Sequence, residues 1–211
     1  MNIQNLLDKA LLGAQKYQQQ LAMTTLAILV SLTGYYIYNQ RQESHIRDAS
    51  LAYYKILSDK DSTQAAKDKA LTELTKKYKS TIYAQLGYAK IAKLAHEERD
   101  YQKAIQAYKN AMINCKSTEL RDVFKLRIAK LQVLAKQPQQ ALNTLKSISN
   151  PFGHAKDIIT TDAYIQLANY QEAEKIILEQ LKKLEPIDNS EKKLAYELFN
   201  ERLTLIKNEK K

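Results

Sequence analysis

No Lys, Arg, Asp or Glu occurs between Lys16 and Arg41, and the run from Leu21 to Tyr38, LAMTTLAILVSLTGYYIY, is apolar within an otherwise polar chain. As a helix the uncharged stretch would reach roughly 36 Å, against a hydrocarbon core of about 30 Å. Tyr35, Tyr36 and Tyr38 put apolar rings and polar hydroxyls at one end of the run, which suits a boundary between lipid and water. The run therefore reads as one membrane crossing. It divides the chain into a tail over residues 1–20, a transmembrane helix over 21–38 and a polar domain over 39–211.

Two other readings compete with a retained anchor. A secretory signal peptide also places basic residues, here Lys9 and Lys16, before an apolar run, but its cleavage needs small residues just beyond, and Tyr35-Tyr36-Ile37-Tyr38 offers none. A buried core helix would be flanked by other hydrophobic segments, whereas Gln18, Gln19, Gln20 and Asn39, Gln40, Arg41 bracket this one.

The remaining polar segment has a size that suits one domain. With only three prolines and four glycines in 211 residues there is little turn material for a sheet, while Ala, Leu, Lys, Gln and Glu favour helix. The fold class expected is all-α. The formal charge of +10 could attract nucleic acid, lipid or acidic polypeptide. The lysines are nevertheless dispersed, in small clusters such as Lys76-Lys77-Tyr78-Lys79, Lys182-Lys183 and Lys192-Lys193, as on the wet face of amphipathic helices. The single Cys115 leaves the redox compartment open.

Compared with itself, the chain shows a helix-pair pattern at spacings near 34 residues. In the clearest copy Ala104 is the small residue of the second helix, preceded by Tyr88, Ile91, Ala92 and Ala95 and accompanied by Tyr101, Tyr108 and Ala111. This large-small pattern is tetratricopeptide-like: a small residue lets two antiparallel helices approach, and an aromatic fills the space beside it. A second copy has Ala141 with Ile128, Ala129, Leu145 and Ile148, and a third has Ala173 with Tyr170 and Ile177. The copies are offset by 37 and then 32 positions.

A divergent first pair is expected over Glu43–Leu57 and Ser62–Tyr78, with Ser62 as an N-cap. Asn150-Pro151-Phe152-Gly153 is the strongest internal loop signal. Beyond Pro186, Asn189 or Ser190 should start a capping helix with Leu194, Leu198, Leu205 and Ile206 on one side. Most of the fourteen tyrosines fall at helical spacing with alanines, which favours packing over base stacking and argues against nucleic acid.

Catalytic and metal patterns are not apparent. His45, His96 and His154 are far apart, Cys115 has no cysteine partner, and Gly13, Gly34, Gly87 and Gly153 never cluster as in a phosphate loop. No catalytic residue, metal or cofactor is expected, and the function class is binding rather than catalysis.

The order of the apolar run, then His45-Ile46-Arg47-Asp48-Ala49-Ser50-Leu51-Ala52-Tyr53, Tyr83-Ala84-Gln85-Leu86 and Leu126-Arg127-Ile128-Ala129-Lys130-Leu131-Gln132-Val133, resembles the YfgM family. The last segment, continuing through Lys136-Gln137-Pro138-Gln139-Gln140-Ala141-Leu142, is the most distinctive. The resemblance covers nearly the whole chain. It implies a single-pass bacterial inner-membrane protein with a cytoplasmic amino terminus and a periplasmic tetratricopeptide-like domain. It further implies an ancillary subunit of the SecYEG translocon that binds a PpiD-like chaperone, assists handover of translocated polypeptides to periplasmic chaperones and influences envelope stress signalling. Two features depart from the family: the domain is basic rather than acidic, and Lys9 and Lys16 against Arg41 and Arg47 do not fix orientation by charge. A membrane-anchored scaffold for another inner-membrane assembly is the alternative.

In such a stack the first helices line the concave face. Projection from the repeat gives Leu86, Ala89 and Lys93 in one copy, Val123, Leu126, Lys130 and Val133 in the next, and Ile158 and Ile165 in the third as the expected partner-binding residues. Their mixture of apolar and cationic side chains suits a helix or an extended peptide.

Overall fold

The computed structural model describes the backbone of residues 3–149 and 152–209, with the side chains at 5, 10–12, 14–16, 19 and 21 outside the description. Among the described residues there are nine helices and no strand. They are α1 (Ile3–Ser58), α2 (Gln64–Lys77), α3 (Ile82–Glu97), α4 (Tyr101–Ile113), α5 (Thr118–Leu134), α6 (Pro138–Lys146), α7 (His154–Gln166), α8 (Tyr170–Leu184) and α9 (Ser190–Glu209). The chain divides within α1 into a unit of residues 1–48 and a unit of residues 49–211.

In the first unit α1 runs unbroken through the apolar segment. The boundary expected after Tyr38, and the separate helix expected from Glu43, both fall inside this one element. Its apolar side chains are uncovered, with Met23, Leu26, Ile28, Leu29, Val30 and Leu32 each more than half exposed. Thr24, Ser31 and Thr33 donate their hydroxyls back to the carbonyls of Gln20, Ala27 and Leu29, each at 2.8 Å, so these polar groups are satisfied within the helix. Among the described residues no helix is long and apolar enough to cross a membrane. The crossing expected from the sequence begins at Leu21, whose side chain lies outside the description.

The second unit is a stack of α-hairpins. The carboxyl-terminal end of α1 packs through Ala49, Ala52, Tyr53 and Ile56 against Leu74, Tyr78 and Tyr83. Three hairpins follow, α3 with α4, α5 with α6 and α7 with α8, and α9 packs on α8 and α7. The small residues Ala104, Ala141 and Ala173 are all fully buried, as the helix-pair pattern requires. Tyr108 and Phe124 stack at 5.7 Å beside Ala104 in the first core, and Cys115 is buried in the same cluster.

The turn inside each hairpin repeats with the same offsets. Arg99, Lys136 and Ala168 adopt left-handed backbone at φ 61°, 59° and 56°. The next N–H in each case, from Asp100, Gln137 and Asn169, donates to the carbonyl five residues back at 2.8, 2.8 and 2.9 Å, closing a Schellman turn on the first helix. The same residue starts the second helix. Asp100 and Asn169 also accept from Lys103 N and Glu172 N as side-chain caps, whereas Gln137 makes no such bond and relies on Pro138 in the first turn.

Two local expectations are corrected. Thr63, not Ser62, caps α2, its hydroxyl accepting from Ala66 N, while the Ser62 hydroxyl donates to Asp59. On α9 Ile206 is covered as expected, but its companions are Ala195 and Phe199, with Leu203 and Tyr196 beside them, while Leu198 is half-buried and Leu194 and Leu205 are exposed. Of the loop expected at 150–153, Asn150 and Pro151 lie outside the described residues. Gly153, at φ 51°, supplies the left-handed conformation that precedes α7.

Candidate binding groove

Helices α3 and α5 are the first helices of consecutive hairpins, and an open cavity of about 590 Å³ lies between them. Its apolar surface comes from Leu86 and Ala89 of α3, Leu120, Val123, Leu131 and Leu134 of α5, and the buried rings of Tyr108 and Phe124. Tyr53, from the end of α1, also lines it. Burial, and then the neighbouring Tyr54, hold the Tyr53 phenol above its ordinary value, so it contributes a neutral hydroxyl at physiological pH.

The cavity is bordered by Lys90, Lys93, His96, Arg127 and Lys130, and none of its lining residues is acidic. Lys93 lies 3.7 Å from Glu97 in an exposed pair, which water screens strongly. Among the described residues no ion pair engages Lys90, Arg127 or Lys130. Nor does any group of three or more His, Cys, Asp or Glu among the described residues have an arrangement that could hold a metal ion.

The structure places five of the nine expected partner-binding residues, Leu86, Ala89, Lys93, Val123 and Lys130, around this one cavity. The other four lie elsewhere. Leu126 packs half-buried against the core formed by Ala129, Leu142 and Leu145, and Val133 is buried within it. The Val133 carbonyl also accepts from Gln166 Nε2 at 3.0 Å, which ties α5 to the end of α7. Ile158 and Ile165 pack against the cluster that includes Phe199 and Ile206, because α9 occupies that side of α7.

Projection from the repeat did not identify Lys90, Arg127 or His96. The first two carried a readable signal. Shifting α3 by 37 positions, the offset between Ala104 and Ala141, superposes Lys90 on Arg127 just as it superposes Lys93 on Lys130.

A family profile described as a tetratricopeptide repeat-like domain matches residues 14–196. A protein of Aggregatibacter actinomycetemcomitans named "Ancillary SecYEG translocon subunit" is 30% identical over 136 residues, covering 64% of this chain and 66% of that protein. One of the same name from Escherichia coli (strain K12) is 27% identical over 118 residues, covering 56% and 57%. The chain thus spans just under two thirds, or less, of the length of these relatives. No solved structure matches it at a significant level. The likeness read from the residues holds, since both relatives carry the name of a translocon subunit.

Proposed function

The chain belongs to the tetratricopeptide repeat-like family, and on that premise we propose that it is a membrane-anchored ancillary subunit of a SecYEG-type translocon that binds polypeptide without catalysis. Residues 21–38 serve as a single-pass anchor in a bacterial inner membrane, with the amino terminus in the cytoplasm and the hairpin stack in the periplasm. The uncovered apolar side chains of α1 and the internally bonded Thr24, Ser31 and Thr33 support an environment of lipid. Tethering raises the local concentration of the stack beside the channel, so individually weak contacts with an emerging chain or a PpiD-like chaperone become effective. The groove receives that polypeptide, and the result is handover to periplasmic chaperones.

The observation that carries the reading is the cavity between α3 and α5. It is open, apolar inside and bordered by long polar side chains, as a site for a polypeptide segment should be. The test uses the tagged full chain in Gram-negative cells. Membranes washed with alkaline carbonate should retain it, and purification in mild detergent should recover SecY together with a PpiD-like chaperone. Release by carbonate would remove the anchor, and purification free of SecY would remove the translocon role. Protease added after opening the outer membrane should digest the stack. Its survival until the inner membrane is lysed would overturn the periplasmic placement.

A further inference from the structure

The cations around the groove form a ladder. Lys90 and Lys93 are three residues apart on α3, hence neighbours on one helix face, and Arg127 and Lys130 repeat that spacing at the equivalent positions of α5. The two pairs border one apolar cavity from two helices. One turn of the repeat further on, the 32-residue offset carries Lys130 onto Asp162, where the sign reverses. That carboxylate is occupied: Arg202 of α9 donates to it from Nε at 2.6 Å and from Nη2 at 2.9 Å. The capping helix thus closes the end of the ladder and neutralises the acid that would otherwise stand in line with it.

Resting on the reading of the groove as a polypeptide site, we infer that its occupant is an acidic amphipathic segment, with an apolar stripe flanked on both edges by carboxylates. The stripe would cover Leu86, Val123 and the aliphatic residues between, and the carboxylates would meet the cations of both helices. A segment with carboxylates along one edge would satisfy one helix and leave the other unpaired. A nucleic acid fits less well, because Tyr108 and Phe124 are buried and Tyr53 and His96 already pack edge-on or tilted against neighbouring tyrosines, which leaves no row of open rings for successive bases. A flat anionic bilayer cannot enter a concavity. A free chain terminus is not required, since the ladder offers two cationic rows and no single end pocket.

The test titrates peptides into the full chain in detergent micelles and follows fluorescence anisotropy. Three peptides of about four helical turns, all with blocked ends and the same apolar stripe, carry Glu, Gln or Lys on both flanks. At low salt the Glu peptide should bind about tenfold tighter than the Gln peptide and the Lys peptide weakest, with the preference shrinking as salt rises. Lys90→Glu with Arg127→Glu should abolish or reverse the order, while Lys76→Glu with Lys79→Glu, outside the groove, should leave it intact. Equal affinity for the Glu and Gln peptides would overturn the inference and leave the groove reading standing. No binding by any peptide would overturn both. Loss of the preference in the Lys76/Lys79 variant would overturn the ladder in favour of general basicity, and tighter binding of single-stranded RNA or anionic vesicles would assign the cations to another class of ligand.

Discussion

Ala168 holds a left-handed backbone at φ 56° without being glycine, as do Arg99 and Lys136 at the same place in their hairpins. An L-residue in that region carries a steric cost of roughly 1–2 kcal/mol, whereas glycine adopts it freely but loses roughly 0.5–1 kcal/mol more on ordering. The difference favours glycine. Ala168→Gly is expected to raise stability by about 0.5–1 kcal/mol and the Tm by a few degrees, read by thermal denaturation of the full chain in micelles. A lower Tm would mean that the Schellman turn is not formed there. These positions were not legible in the sequence, because the usual marker of a left-handed turn is Gly or Asn and here Arg, Lys and Ala occupy it. The N-cap of α2 was misassigned for a related reason. Ser62 and Thr63 are adjacent hydroxyls with the same capping chemistry, and only the competing acceptor at Asp59 draws Ser62 away.

Between elements, each repeat ties the start of its first helix to the far end of its own hairpin by a polar contact at an equivalent position. Gln85 Nε2 donates to Asn114 O at 3.4 Å, Asp122 accepts from Ser149 N at 3.0 Å, and His154 lies 3.3 Å from Gln180 Oε1. Asp122 is the deepest of these, with a side chain 1% exposed that also meets Lys125 Nζ at 2.9 Å. Lys125 continues the tie to Ser147 O at 2.7 Å. Removing the carboxylate leaves the Ser149 N–H without this acceptor and the half-buried Lys125 ammonium without its counter-charge, with the Ser147 carbonyl as its remaining partner. Asp122→Ala should therefore cost about 2–4 kcal/mol, measured as a shift in the urea midpoint, and a cost near zero would show that the tie does not hold the hairpin. At the α2–α3 contact, a Cβ on Gly87 would lie 2.9 Å from Thr75 Cγ2, and Thr75 is fully buried and β-branched. Gly87→Ala gains about 1 kcal/mol of helix propensity but overpacks the contact by roughly 1–3 kcal/mol. A net loss of about 1 kcal/mol in the same assay is expected. A gain would mean that α2 can move away from α3 without cost.

For the whole molecule, the repeat was the legible part. A small residue that lets helices cross closely leaves a periodic trace, and Ala104, Ala141 and Ala173 are all fully buried. What periodicity leaves open is which neighbour covers a given face. Along α9 the sequence offers Leu198 beside Phe199 and Leu205 beside Ile206, and only packing on α8 and α7 selects Phe199 and Ile206. The same limit applies to the groove, since Ile158 and Ile165 sit on a first helix like the others but α9 lies over that repeat. The cationic ladder could have been read by applying the 37-residue offset to Lys90 as well as to Leu86, Ala89 and Lys93. The central claim is that the cavity between α3 and α5 is where polypeptide docks. Its most direct test is a photoreactive amino acid placed at Leu86 in the full chain, irradiated in native membranes, with Ile113, exposed and outside the cavity, as the control site. Polypeptide adducts formed from position 86, absent from position 113 and lost when Lys90→Glu and Arg127→Glu are added, are the predicted result. Adducts of equal yield from both positions, or none from position 86, would contradict it.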